Sequence, residues 1–267
     1  CIVWVTGAAG FIGSELCSQL LNNGKHVVAL DALTYSGRLE NLEFLDVQEN
    51  FQFVKGSICD ENFLQFLVNK FPPSTVFNLA AETHVDRSIN NPEEFMMSNI
   101  LGTFNLLEAA RKHFEKLPFE RKKYFRFHHI STDEVFGTVV NNNKFNENTR
   151  YYPRSPYSAS KASSDHLVNS WHHTYGLPTL TTNCSNNYGP WQYTEKLIPK
   201  IIFNAINNNK IPIYGDGSNI RDWLFVEDHI NALLLMACEG KAGSHYCIGG
   251  NEEKSNLNIC KNICNIL

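Results

Sequence analysis

Two adjacent carboxylates, Asp133 and Glu134, follow the hydroxyl of Thr132 at the end of an apolar, β-leaning run that includes Phe127 and Ile130. Further on, Tyr157 and Lys161 stand four residues apart. That spacing puts a phenol and an ammonium on one face of a helix. A phenol titrates at ~10 in water, too high for a base at neutral pH. A neighbouring ammonium stabilises the phenolate and brings it toward that range. Two neighbouring carboxylates can act as acid and base if their surroundings keep one protonated and the other ionised. Thr132, Asp133, Glu134, Tyr157 and Lys161 are therefore the candidate catalytic set. The plainer alternative makes Thr132 or Asp133 a turn cap, Glu134 a solvated acid, and the Tyr/Lys pair a surface contact. A cofactor site beside them decides between the two.

The elements that would position this set begin at the first residues. Ile2–Thr6 reads as a fully buried strand, followed by Gly7-Ala8-Ala9-Gly10-Phe11-Ile12-Gly13, and Ser14–Asn22 carries Leu16, Leu20 and Leu21 at helical spacing. A strand, a glycine-rich turn and a helix form a dinucleotide-binding opening, with pyrophosphate at the helix N-terminus. The next strand, His26–Leu30, ends in Asp31, placed to bind the adenosine ribose and to repel a 2′-phosphate, so NAD is favoured over NADP. Strands are expected at Phe51–Val54 and Thr75–Leu79, a helix at Glu61–Asn69, and small residues at Ala80 and Ala81 where backbone approaches a ligand. Glu82–Ser88 reads as a polar loop on the sheet edge that also carries Asp133. Asn91-Pro92 opens a long helix through Ala110 that includes Ser98 and Asn99, and Lys112–Arg126 reads as a solvated connection without the aromatic platforms of a nucleic-acid site. Residues 141–148, rich in asparagine, read as a flexible loop. Ser155-Pro156 opens the helix of Tyr157 and Lys161. The fold class is α/β: a Rossmann-type doubly wound parallel sheet with a smaller C-terminal substrate lobe.

In the second half, Asn186 and Asn187 follow the strand Thr179–Asn183 and read as amide donors and acceptors, or else as turn formers. Lys196-Leu197 opens a helix whose cation and amides could meet phosphate. Arg221 suits a diphosphate oxygen, or alternatively pairs with Asp222 or Asp228.

Composition narrows the classes. The 267 residues are 43% hydrophobic and 19% charged with net charge -4, which gives no reason to expect nucleic acid or an anionic membrane as partner. No apolar run is long enough to span a bilayer, and the chain opens on a strand rather than a secretory signal. The cysteines at 1, 17, 59, 184, 238, 247, 260 and 264 form no Cys-x-x-Cys pair and read as reduced thiols of a cytoplasmic protein. The histidines show no ligand spacing, and no metal is expected.

These residues resemble the extended short-chain dehydrogenase/reductase family, and within it the branch that dehydrates nucleotide-linked hexoses. The likeness covers Leu30-Asp31 with Leu33-Thr34-Tyr35, Leu79–Glu82, His84–Ser88, Phe127–Val135, Ser155–His166, Thr182–Pro190, Glu195–Pro199 and Ile220–Leu224. The Asp-Glu pair after Ser-Thr separates that branch from the sugar-nucleotide 4-epimerases, the alternative enzyme on this fold; a non-enzymatic dinucleotide binder would have no reason to hold Tyr157, Lys161 and both acids together. Ser57 stands where the family has aspartate, Phe136 where it has tyrosine, and Ala8 where it has glycine.

The resemblance implies NAD held by Gly7, Gly10, Phe11, Ile12, Gly13, Asp31, Leu33, Thr34, Ser57, Ile58, Leu79, Ala80, Ala81, Ser98, Tyr157, Lys161 and Asn187. It implies dTDP-glucose as substrate, held by Thr83, Arg87, Thr132, Asn186, Lys196, Leu197, Pro212, Tyr214, Arg221 and Asn256, with Pro212–Tyr214 on the nucleobase. The implied reaction oxidises C4, removes water across C5 and C6, and returns hydride to C6, as a step of deoxysugar (dTDP-rhamnose) synthesis. It further implies a homodimer paired through the helices near Pro92 and Pro156. Residues 1–183 would form the NAD-binding core with the catalytic set, and 184–267 largely the nucleotide-sugar lobe, interleaved with the core. Ser244–Ile248 and the helix from Leu257 would close that lobe. Relatives continue for several dozen residues past the equivalent of Leu267, so a trimmed chain is expected.

Overall fold

In the computed structural model, which describes residues 1–138, 144–213 and 215–267, a strand buried on both faces lies near the middle of a seven-stranded parallel sheet. This is β1 (Ile2–Thr6). Its Val3 and Val5 enter one hydrophobic core and its Trp4 the other, as the two-residue period of a strand requires. α1 (Phe11–Asn22) returns the chain to β2 (His26–Asp31), and β3 (Phe51–Lys55) pairs outside β2. α2 (Glu61–Lys70) starts at Asp60, whose side chain accepts the Phe63 N–H at 3.0 Å, and leads to β4 (Thr75–Asn78) on the other side of β1. Strand order reverses at that point, where open α/β sheets bind ligands.

The segment after β4 departs from expectation. Val85–Asn90 is a helix (α3), not loop, with the His84 ring accepting the Arg87 N–H at 3.4 Å as its cap. α4 (Pro92–Phe95) runs through a widened π-type turn, Met96–Gly102, into α5 (Thr103–Lys116). The widened turn carries a buried amide. Asn99 within it is buried; its Oδ1 accepts the Glu82 N–H (2.8 Å), and its Nδ2 donates to Glu82 O (3.0 Å) and Ser160 Oγ (2.8 Å). Turns of this kind concentrate at functional sites. The expected solvated connection instead holds the end of α5 and a short helix, α6 (Phe119–Lys122), before β5 (Arg126–Thr132).

α7 (Pro156–Tyr175) opens with a reciprocal capping box between Ser155 and Ser158. It leads to β6 (Thr179–Cys184) and a short strand, β7 (Asn186–Tyr188), so Asn186 and Asn187 are strand residues rather than turn formers. After α8 (Leu197–Ile206), β8 (Ile220–Phe225) pairs with β7, and α9 (Val226–Glu239) crosses back over the core. β9 (His245–Ile248) then pairs with β6 as the seventh strand of the large sheet; β10 (Glu253–Ser255) joins β8, and α10 (Asn256–Ile266) follows. Ser244–Ile248 therefore completes the core instead of closing the small lobe. The reason is α9, whose Ile230 and Leu233 are buried in the same core as Leu16 and Leu20 of α1. The expectation for residues 141–143, part of the asparagine-rich stretch, lies outside the described residues.

Gly7 and Gly24 both have left-handed backbone, φ +67 and +68, but a Cβ on Gly7 would meet the Ala80 backbone N at 2.8 Å while one on Gly24 meets nothing within 4 Å. Gly24→Ala should lose about 1 kcal/mol, from backbone strain alone, and Gly7→Ala at least about 2 kcal/mol. Urea denaturation of the two variants checks the difference; equal losses would show that β4 yields freely to the added methyl group.

Candidate active site

A continuous cleft of about 730 Å³ runs along the carboxyl ends of the strands, from Gly7 past Asp31 to Thr132–Glu134, Tyr157, Lys161 and Lys196. That is the size of an ordinary small-ligand site. At one end, Gly7, Gly10, Phe11, Ile12 and Gly13 line it. Gly10 caps α1 without a side chain, so the first N–H groups of the helix keep their capacity for an anion. A Cβ on Gly13 would run into Gly7 O and Ala8, so the cradle exists only with glycine there. Asp31 Oδ2 accepts the Ala9 N–H (2.9 Å) and Oδ1 the Leu33 N–H (2.7 Å), which stitches the end of β2 to the glycine turn. Burial pushes this carboxyl up, and those two N–H groups oppose the shift. Each oxygen retains a second lone pair for a ribose hydroxyl. Thr34, Ser57, Ile58, Leu79, Ala80, Ala81 and Ser98 also line the cleft. This arm fits a dinucleotide.

Leu33 does not line the cleft. It has φ +56 and packs against the core beside α1, so its contribution is the N–H held by Asp31. Ser57 accepts the Cys59 N–H at 3.1 Å and caps its own turn.

At the far end of β5, Thr132 Oγ1 accepts the Glu134 N–H (3.3 Å) and donates to Asp133 Oδ1 (3.4 Å). Thr132 is thus a turn cap and a cleft residue at once. Glu134 is partly buried rather than solvated. Burial, then the charge of Glu134, pushes Asp133 up to about 6, with the Thr132 hydroxyl and Arg221 opposing. Glu134 is also raised by burial, but the cations Arg221 and Lys196 pull it back. The two acids therefore differ in surroundings: the charge of Glu134 raises Asp133 further, while two cations offset the burial of Glu134.

Tyr157, at the start of α7, packs edge-on against Phe95 and receives its backbone anchor from Ser88, whose Oγ accepts the Tyr157 N–H at 3.1 Å. Burial above all, then Glu134, raises its phenol well above the ordinary range, against the Thr132 hydroxyl. Lys161 shares the helix face, yet its Nζ donates to Ile130 O at 2.8 Å, not to the phenol.

On the other side of the cleft, Thr83, Arg87, Asn186, Asn187 and Lys196 line the wall. Asn187 is held at both ends: Nδ2 donates to Ser185 O (3.0 Å) and Oδ1 lies 2.8 Å from His229 Nδ1. The Arg87 guanidinium stacks 3.8 Å from the centre of the Tyr35 ring. Leu197, Pro212, Arg221 and Asn256 do not line the cleft, and Tyr214 lies outside the described residues. Lys196 turns inward at the N-terminus of α8, leaving Leu197 as its first helical residue. Pro212 lies between α8 and β8, away from the cleft wall. Arg221 Nη1 folds back on Ile220 O (2.9 Å), although its charge reaches Asp133 and Glu134. Its alternative partner Asp222 accepts the N–H groups of Gly250 (2.7 Å) and Glu252 (2.8 Å) instead. Asn256 opens α10, and its Oδ1 is buried with no partner among the described residues.

Tyr35, Glu82, Tyr193 and Glu195 are among the wall residues that carry no role in the sequence reading. Tyr35, Glu82 and Glu195 adjoin predicted residues (Thr34, Ala81 and Thr83, Lys196), so neighbours of the motif residues carried that signal; Tyr193 has no such neighbour. Among the described residues no cluster of histidine, cysteine and acidic side chains could hold a metal ion, and no helix is long and apolar enough to cross a membrane.

Residues 4–266 match the family model described as GDP-mannose 4,6 dehydratase. A dTDP-glucose 4,6-dehydratase of Shigella flexneri is 52% identical, across 99% of this chain and 76% of its own length. The crystal structure of dTDP-glucose 4,6-dehydratase from Bacillus anthracis in complex with NAD superposes with a TM-score of 0.90 at 40% identity, covering 99% of this chain and 80% of that one. DesIV, a dTDP-glucose 4,6-dehydratase of Streptomyces venezuelae with NAD and TYD bound, superposes at 0.92 with 38% identity and the same coverage.

Asp133 makes the site a net drain on stability at neutral pH. Its carboxyl rises from 3.8 to about 6 on folding, so the folded state is favoured below the unfolded value and loses that advantage as pH climbs through 6. Asp133→Asn, which mimics the protonated form, should match the unchanged chain near pH 4 and exceed it by roughly 2 kcal/mol at pH 7–8. Urea denaturation at both pH values checks this; a variant less stable at pH 8 would show that the carboxylate is not held against its charge.

Proposed function

The chain belongs to the GDP-mannose 4,6 dehydratase family, within the extended short-chain dehydrogenases/reductases, and from that membership and the cleft we infer its reaction. It converts dTDP-glucose to dTDP-4-keto-6-deoxyglucose and water. NAD supplies the hydride acceptor for C4, the hydride donor for C6 and, oxidised, a positive charge beside the phenol. The observation that carries the reading is the meeting of one phenol, one acid held up to about 6 and one carboxylate beside two cations in a single cleft.

The residues take the following roles. Tyr157 accepts the proton of the sugar 4-hydroxyl, its phenolate favoured by Lys161, and the Thr132 hydroxyl holds the 4-oxygen. Once C4 is a ketone, the C5 proton is acidic, and Glu134 removes it. Asp133 gives its proton to the departing 6-hydroxyl, which leaves as water. Glu134 then returns a proton to C5. Each proton-transfer group of this kind contributes ~10²–10⁴ in rate. Gly7, Gly10, Gly13, Asp31 and the residues after β3 and β4 hold the dinucleotide. Thr83, Arg87, Asn186 and Lys196 hold the nucleotide sugar.

The division of labour follows: 1–183 forms the NAD-binding core with the catalytic set, and 184–267 largely the sugar-nucleotide lobe, interleaved through α9 and β9. Pairing of two copies through α4–α5 and α7 is supported by exposed Leu101 and by exposed Phe104, which stacks edge-on against Trp171 of α7. Eight free thiols suit the reducing cytoplasm, and the product suits deoxysugar synthesis such as the dTDP-rhamnose route.

Incubation with dTDP-glucose should yield the alkali-induced ultraviolet absorbance of a 4-keto-6-deoxy sugar, and more of it than UDP- or CDP-glucose yields. A 4-epimer with no such absorbance would contradict the reading. Asp133→Asn with Glu134→Gln should still turn bound NAD to NADH but lose water at least ~10²-fold more slowly. Tyr157→Phe should fail to form NADH at all; NADH appearing in it at the unchanged rate would remove the phenol from its role.

A further inference from the structure

Asp165 lies four residues after Lys161 on α7, buried, and outside the cleft wall. Its carboxylate gathers polar groups from three neighbouring elements. Oδ2 accepts from Ser131 Oγ on β5 (2.9 Å), from the Tyr151 phenol in the segment before α7 (2.9 Å), and from Asn183 Nδ2 on β6 (3.2 Å). Oδ1 lies 3.3 Å from His129 Nε2, off the line of a hydrogen bond. So much convergence on one carboxylate exceeds what tying a helix to a sheet requires.

The tautomer of His129 follows from the groups behind it. Asn78 Oδ1 accepts from Thr6 Oγ1 at 2.8 Å, so its amide nitrogen is the atom 3.1 Å from His129 Nδ1. Nδ1 is then the acceptor and Nε2 carries the proton that faces Asp165. Burial, together with Lys161, lowers His129 to about 4, so the ring is neutral. Burial opposes ionisation of Asp165, but His129, the charge of Lys161 and the Ser131 hydroxyl outweigh it and hold the carboxyl below its ordinary range. The anion is therefore real, and the histidine does not neutralise it. Lys161 is buried with a single carbonyl as hydrogen-bond partner among the described residues. A cation so placed loses its proton unless an anion stands nearby. Burial does push Lys161 down, and Asp165 is the main influence against it, ahead of the Cys184 thiol.

We propose that Asp165, held by Ser131, Tyr151 and Asn183 one helical turn after Lys161, is the counter-ion that keeps Lys161 cationic, a positioning residue that touches neither sugar nor dinucleotide. This rests on the roles given above to Tyr157 and Lys161. The groups around the pair are Tyr157 on the same helix, His129 on β5, Cys184 on β6 and Tyr151 before α7. Glu134 and Asp133 stand beyond Tyr157 and Cys184; of the carboxylates it is Asp165, on the same helix face, that bears on Lys161.

The test is the pH profile of NADH formation in a single turnover with dTDP-glucose. Asp165→Asn keeps the shape of the side chain and should move the alkaline limb, where Lys161 loses its proton, down by about one to two pH units. Binding of dTDP and NAD should hold, because the residue meets neither. Tyr151→Phe removes one hydrogen bond to the same carboxylate but keeps its charge, and should leave the limb in place. Two variants that lower activity equally at every pH, with both limbs unmoved, would make Asp165 a structural residue and overturn the proposal. Should Asp165→Asn not accumulate as folded protein, the unchanged chain decides through the ¹³Cε resonance of labelled Lys161. An amine still charged at pH 7 supports the proposal, and a neutral one overturns it. Absence of any NADH in the unchanged chain would instead remove the roles of Tyr157 and Lys161, while the charge of Lys161 would still be readable.

Discussion

Asp133, Glu134, Tyr157 and Lys161 all sit where burial disfavours their charged forms. In such surroundings a charge persists only where an opposite one is near, so the placing of each ion governs its neighbours. Glu134 has Arg221 and Lys196; Asp133 has Glu134 and stays protonated more easily; Lys161 has Asp165. An acid, a base and a cation thus coexist within one cleft because their environments differ, although the acids are adjacent in the chain. The whole arrangement depends on the β5 and β6 ends staying in register with α7, which the Ser131, Asn183 and Tyr151 contacts to Asp165 maintain.

The other half of the cleft is built from backbone rather than charge. The glycine turn leaves room for a dinucleotide because Gly7 lies against Ala80 and Gly13 against Gly7, and Asp31 locks the turn to β2. Asn99 performs the same service for the loop after β4, tying Glu82 to Ser160 on the helix that carries Tyr157. Cofactor arm and proton-transfer arm are therefore joined by buried amides as well as by the sheet, and a shift in one moves the other.

Much of this was legible in the sequence where the signal is local. The β1–turn–α1 opening, the helix entry at Ser155-Pro156 and the Tyr157/Lys161 face depend on spacing within one element, and each took the expected form. What escaped depends on partners distant in the chain. Four strand-like residues at β9 carry no mark of which sheet they join; α9 decides it by packing on α1. Glu82–Ser88 looked like loop because its polar residues face a cleft, yet α3 forms within it, capped by a histidine ring. Asn99 and Asp165 are polar residues in helices that could equally face water. Only the fold shows them buried, and only burial makes them consequential. Arg221 misled for the opposite reason: its type suited a phosphate, while its side chain rests on its own strand.

One cleft oxidises C4, eliminates water across C5 and C6, and reduces C6 with the same hydride. Turnover of dTDP-glucose carrying deuterium at C4, in ordinary water, with the product examined by NMR, tests it most directly. The account predicts deuterium at C6 and a solvent-derived proton at C5. Deuterium returned to C4, or lost to solvent, would contradict it.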